Sequence, residues 1–152
     1  MGHLIITIIS IAVFAAFLTA GANYINPTVI DDIGSKTLIK SSLIQYSSGV
    51  MNYKMIHSKY PTGTDQFIPD IISQPKLPKN MSLSQFENNH VNGTVELCFD
   101  VEIKAESSLK MLKAISGDEL QGNFIISDTC GSKTEVLPAT FPVNKKITYI
   151  IR

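Results

Sequence analysis

From Leu4 to Ala22 the chain carries no Asp, Glu, Lys or Arg, and the first formally charged side chain is Asp31. Wound as a helix, these mainly apolar residues would span ~28 Å at ~1.5 Å per residue, about the thickness of a bilayer's hydrocarbon core. Small residues recur in the run at Ala12, Ala15, Ala16, Ala20, Gly21 and Ala22. Small side chains let helices approach closely. Thr7, Ser10 and Thr19 can return their hydroxyls to the helix backbone and so are tolerated in apolar surroundings. Three fates fit such a segment: a cleaved signal peptide, a permanent single-pass anchor, or an anchor that later packs against copies of itself. Ala20-Gly21-Ala22 resembles a cleavage site, but Met1-Gly2-His3 has no Lys or Arg and the run exceeds a usual signal core.

Asn26-Pro27 interrupts the run. Proline removes a backbone donor and disfavours helix in the residue before it, so a break is expected near Ile25 to Thr28, centred on Pro27. Helical spacing then resumes. Ile39, Leu43, Tyr46, Val50, Tyr53, His57 and Tyr60 follow one another at intervals of four and three and share one helical face. A second row, Ile44, Ser48, Met51 and Met55, is expected to run beside it, on the neighbouring face, at the same spacing. Two arrangements fit: one face buried in the domain with the other row offered to another molecule, or a single wide apolar face against one core. Tyr60-Pro61-Thr62-Gly63 is a stop and turn signal. Pro61, Pro69, Pro75 and Pro78 then punctuate an irregular connector from Thr62 to Asn89, whose Phe67, Ile68, Ile71, Ile72 and Leu77 are expected to lie against the domain.

Beyond the connector the period changes from helical to two. Val95, Leu97, Phe99, Val101 and Ile103 alternate with Glu96, Cys98, Asp100 and Glu102, which predicts a strand over 94–103 with one apolar and one polar face. Asn92-Gly93 reads as the tight turn before it. Ser107 or Ser108 is a candidate cap for a short helix carrying Leu109, Leu112 and Ile115 and stopping at Gly117. Phe124 to Ser127 and Lys146 to Ile151 are further strand candidates, with Thr134 to Leu137 a possible fourth. The sum is an α+β fold. A long N-terminal helix, hydrophobic over 1–27 and amphipathic over 28–60, is expected to pack on a small antiparallel sheet with one short extra helix, the loops and sheet occupying 61–152.

Charge and composition narrow the function. Thirteen basic and thirteen acidic residues cancel, and Trp is absent, so the chain lacks the electrostatic footprint and the stacking platforms of a nucleic-acid binder. Cys98 and Cys130 have no CxxC partner and no neighbouring His, which argues against zinc or thioredoxin-like chemistry. With an apolar N-terminus that places the remainder outside the cytoplasm, a disulfide is the natural reading, and two buried thiols are the alternative. Cys98 lies on the polar strand face, so its partner is expected to come over that face or the sheet edge. His3, His57 and His90 are isolated, no metal or other cofactor is expected, and His57 is read as a packing residue. No Ser/His/Asp or Cys/His pattern and no phosphate-binding glycine loop is present, and Glu96, Asp100 and Glu102 read as a solvated sheet face rather than catalytic carboxylates. Asn80-Met81-Ser82 and Asn92-Gly93-Thr94 match the glycosylation acceptor pattern without further support.

The ordering of these features resembles the type IV pilin and pseudopilin family over essentially the whole chain. An apolar N-terminal helix runs into an amphipathic half, stops at Lys59-Tyr60-Pro61-Thr62, and leads to a small sheet with a C-terminal cysteine pair. The resemblance implies a structural filament subunit and no enzyme. It would insert in the bacterial inner membrane before assembly and end in an extracellular pilus, displaying its globular domain for adhesion or contact. Its partners would be further copies of itself in a helical filament, other pilin-like subunits and the assembly machinery. Leu4, Ile5, Ile8, Ile9, Ala12, Phe14, Ala15, Ala16, Phe17 and Leu18 would form the filament core. The Cys98 to Cys130 region would shape the exposed surface. The chain departs from the family at the fifth position, where a glutamate usually pairs with the N-terminal amine of a neighbour and where this sequence has Ile5, or Thr7 if counted after Gly2. A different class also fits the pattern: a single-pass inner-membrane envelope protein with a periplasmic partner-binding domain.

Overall fold

The computed structural model describes residues 27–89, 93–118, 120 and 122–152. Its contacts divide the chain into two units, 1–31 and 32–152. The sheet and its packed elements belong to the second. The fold is α+β, with two α-helices and a four-stranded antiparallel sheet among the described residues.

Helix α1 spans Pro27–His57. Ile39, Leu43, Tyr46, Val50 and Tyr53 are buried and enter the core, as their spacing predicts. The face does not continue as helix beyond His57, although Tyr60, outside the helix, still packs half-buried against the core. Ser58 adopts a positive φ of 55°, which ends the helix at His57, and His57 is exposed. The physical reason is local. Tyr60 precedes Pro61, so the helical region is disfavoured there, and the chain leaves the helix two residues earlier through a left-handed residue. Tyr60 then folds back, and Lys54 Nζ donates to its hydroxyl at 2.7 Å.

The connector packs as expected over its first part. Phe67 is fully buried, and Ile68, Ile71, Ile72 and Leu77 lie against the core. Thr62 and Gln66 clamp its start, the Thr62 amide donating to Gln66 Oε1 at 2.8 Å and Gln66 Nε2 to Thr62 Oγ1 at 3.0 Å. Ser42 Oγ donates to the Lys76 carbonyl and fastens the connector's far end to α1.

From Met81 the connector reading fails, because Met81–Asn89 is strand β1. The register of β1 shifts between Leu83 and Gln85, a bulge that spaces its core-facing Met81, Leu83 and Phe86 by two and then three residues. That irregularity, among serines and amides, hides the period of two.

Strand β2 covers Thr94–Ile103, the predicted bounds, and its five apolar residues are all buried. Gly93, before it, has the positive φ of 62° that a tight hairpin turn favours. Helix α2 runs Glu106–Asp118. Its Leu109, Leu112 and Ile115 are buried as expected. Its ends differ from expectation: Ser107 and Ser108 lie inside the first turn rather than at the cap, and Gly117 is helical rather than the stop. Ser116 Oγ ties α2 to β3 through the Phe124 carbonyl at 3.0 Å.

Strand β3, Phe124–Ser127, matches its prediction, and β4 extends over Val143–Ile151, three residues earlier than the sequence pattern suggests. Those extra residues include Lys145, which stands at the register position of core-facing Val101 yet is only 8 % exposed. Its ammonium reaches Asp128 Oδ1 at 2.5 Å, so the buried stem keeps a charged partner at the surface. Thr134 to Leu137 is not a strand. It is a loop carrying one sheet-like bond, the Val136 amide to the Ile126 carbonyl at 2.8 Å.

The sheet order is β1-β2-β4-β3, with β2 and β4 central and every neighbouring pair antiparallel. Helix α1 lies against the apolar face, where the rings of Tyr46 and Phe99 meet at 5.8 Å. Burial raises the phenol pKa of both Tyr46 and Tyr149 above the ordinary 10.0, offset in part by the side chains of Gln74 and Ser47 respectively. The buried Tyr46 oxygen has no hydrogen bond of normal geometry, which leaves burial the dominant influence.

Candidate interaction surface

Among the described residues, helix α1 presents one uncovered apolar surface. Helix α1 is apolar on two opposite sides. Successive helical residues turn by ~100°, so positions eleven apart are offset by only ~20°. Ile33, Ile44 and Met55 are spaced in this way, and Met51 falls among them. This outward line stands across the helix axis from the buried Tyr46 and Tyr53. Ile33, Ile44 and Met55 are 62 %, 60 % and 79 % exposed, and Ile56, on the flank, is 66 % exposed. Of the two arrangements left open by the sequence, the one observed buries the Ile39–Tyr53 face and leaves Ile44, Ser48 and Met55 exposed and Met51 half-buried, with the row on the opposite side of the helix rather than on the neighbouring face as expected. Ile33 and Ile56 escaped the sequence reading. The eleven-residue recurrence would have found Ile33, whereas nothing in the pattern distinguishes Ile56.

A second surface is built by the cysteines. Cys98 on β2 and Cys130 are joined in a disulfide with Cα atoms 5.7 Å apart. The expected approach over the polar face is the one seen: the loop after β3 crosses that face and buries Cys98. Gly131, at a positive φ of 71°, donates its amide to Thr148 Oγ1 at 3.0 Å, and Thr148 faces Cys98 in the register of β2 and β4. Val136 and Leu137, each about two-fifths exposed, sit at the loop's outer end.

The acidic strand face behaves as a solvated one. Asp100 pairs with Lys146 across β2 and β4, and Glu102 lies 3.7 Å from Lys104. An open cleft of about 550 Å³ lies beside the first pair, lined by Lys79, Asn80, Ser82, Asn144 and the paired side chains. Asn80 is held there by a 2.9 Å bond from Nδ2 to the Glu102 carbonyl. This cleft offers hydrogen-bonding groups and balanced charge. Among the described residues no group of three His, Cys, Asp or Glu is gathered as a metal site. His57 stacks on Tyr53 with ring centroids 4.3 Å apart, at the surface rather than in the core.

The remaining predicted positions fall elsewhere. Leu4, Ile5, Ile8, Ile9, Ala12, Phe14, Ala15, Ala16, Phe17 and Leu18 lie outside the described residues. Pro27 is the first described residue and is helical with all that follow to His57, while the Ile25–Asn26 side of the expected break lies outside them. Among the described residues no helix is long and apolar enough to cross a membrane. In comparisons with protein-family models, curated proteins and solved structures, nothing matches this chain.

Proposed function

We propose that this chain is a structural subunit of an extracellular filament of the type IV pilus-like kind. It is held in the bacterial inner membrane through residues 4–22 and then polymerises through that segment, with its sheet domain displayed outward. The observation that carries this reading is the double-sided helix. A helix apolar on one side needs one partner, whereas one apolar on opposite sides needs cover on both. The sheet covers the Ile39–Tyr53 side of α1, and the Ile33–Ile44–Met55 line is left for a second molecule. The charge-free run from Leu4 to Ala22 adds a segment that likewise needs apolar surroundings. The disulfide supports a domain working outside the cytoplasm.

The test is to shear material from cells that express the full chain, image it by negative stain, and identify the protein by mass spectrometry. Filaments containing this chain are the expected result. Monodisperse single subunits, recovered from gently extracted membranes with no shed polymer, would contradict it and favour the single-pass envelope protein.

A further inference from the structure

We propose that the loop after β3 is a strap that closes the outer edge of the sheet, and that releasing it opens this edge to the same strand of a second copy. The Asn123 carbonyl accepts from the Ile150 amide at 2.8 Å, so Asn123 and Ile125 turn their backbone groups toward β4. By alternation Phe124 and Ile126 turn theirs away from it. Both outward carbonyls are already taken by groups that belong to no strand. The Phe124 carbonyl accepts from Ser116 Oγ of α2 at 3.0 Å, and the Ile126 carbonyl from the Val136 amide at 2.8 Å. The strap that delivers Val136 crosses β4, where the Gly131 amide donates to Thr148 Oγ1. The disulfide from Cys130 to Cys98 bolts it to β2, six residues before Val136.

The composition of the covered strand identifies its occupant. Residues 122–127 read Gly-Asn-Phe-Ile-Ile-Ser, with no charge and no proline and with three strong β-formers in a row. Segments of this composition pair with identical segments of other chains. The opposite edge of the sheet is protected by other means. Strand β1 carries a bulge between Leu83 and Gln85 and a charge at Glu87, and both discourage strand addition. Strand β3 pairs with β4 without a register shift and has no charge of its own, so the strap supplies the protection that its sequence lacks. The device belongs to the sheet domain and holds with or without filament assembly.

The experiment uses the full chain in detergent micelles and compares two opened forms with the parent by sedimentation. Cys98→Ser with Cys130→Ser unbolts the strap. Val136→Pro removes the amide donor and leaves the disulfide in place. Each opened form is also made with Ile125→Lys, which sets a charge on a half-buried residue of the edge strand. The opened forms should gain mass with protein concentration beyond anything the parent shows. Exchange of the Phe124 and Ile126 amides, read by NMR, should slow about fivefold as the pairs form, the equivalent of one net hydrogen bond each. Adding Ile125→Lys brings like charges together in the new pair and should return the opened forms to the parent's mass. If the double cysteine variant loses its cooperative unfolding, Val136→Pro alone decides the outcome. Opened chains that stay at the parent's mass would overturn the proposal. So would association that leaves the two amides unchanged or that survives Ile125→Lys.

Discussion

The ring of Phe67 fills the space that a side chain at Gly49 would need. A Cβ built there would lie 2.6 Å from Phe67 Cδ2 and 2.7 Å from Ile72 Cδ1. Helix α1 therefore carries glycine in mid-helix, at a cost of about 1 kcal/mol relative to Ala, so that the connector can close over it. Gly49→Ala should recover that propensity and lose more to overpacking, typically 1–3 kcal/mol, because the fully buried Phe67 ring has little room to move. Chemical denaturation should report a net loss of stability, and a gain would show that the contact is loose.

The disulfide spans a sequence separation of 32, which in the chain-entropy account is worth roughly 3–4 kcal/mol. The Cys98→Ser, Cys130→Ser double variant should lose about that much in denaturant titration. In the unreduced protein neither cysteine should alkylate. On reduction, hydrogen exchange should rise first in the loop between β3 and β4, since the bond and the Gly131 amide fasten it to the sheet.

Tyr46 and Tyr149 give the fold an alkaline limit. Their folded pKa values lie above 10.0, so the neutral phenols are favoured in the native state. Their contribution is fully present below pH 10. Above it the unfolded chain ionises first, and stability falls as pH rises toward the folded pKa values. Denaturant midpoints measured between pH 8 and 11 should decline in the upper part of that range, and Tyr149→Phe should flatten the decline. An unchanged slope in that variant would remove Tyr149 from the account.

Much of the fold was legible in the sequence because regular burial leaves a regular pattern. Val95 to Ile103 are buried on every second residue along an unbroken central strand, and the prediction of β2 matched to the residue. Ile39 to Tyr53 showed the same fidelity for a helix. Where the backbone departs from regularity the signal vanished. The bulge at Leu83 and Gln85 broke the alternation of β1, and Lys145 disguised a buried strand position by carrying its charge out to Asp128. The end of α1 depends on the left-handed backbone of Ser58, which no side-chain pattern marks. Of the candidate surface, the Ile44 to Met55 row was visible in the sequence. Its exposure was not, because identical spacing serves a wide core face or an outward one, and only the position of the sheet separates them.

The most direct test of the central claim is Ile44→Asp in the full chain, compared with Lys133→Asp. Ile44 is exposed in the single subunit, so the domain should unfold within about 0.5 kcal/mol of the parent protein. If the outward line of α1 is a contact between subunits, Ile44→Asp abolishes sheared filaments while Lys133→Asp leaves them intact. Filaments at parental yield from a folded Ile44→Asp chain would contradict the account.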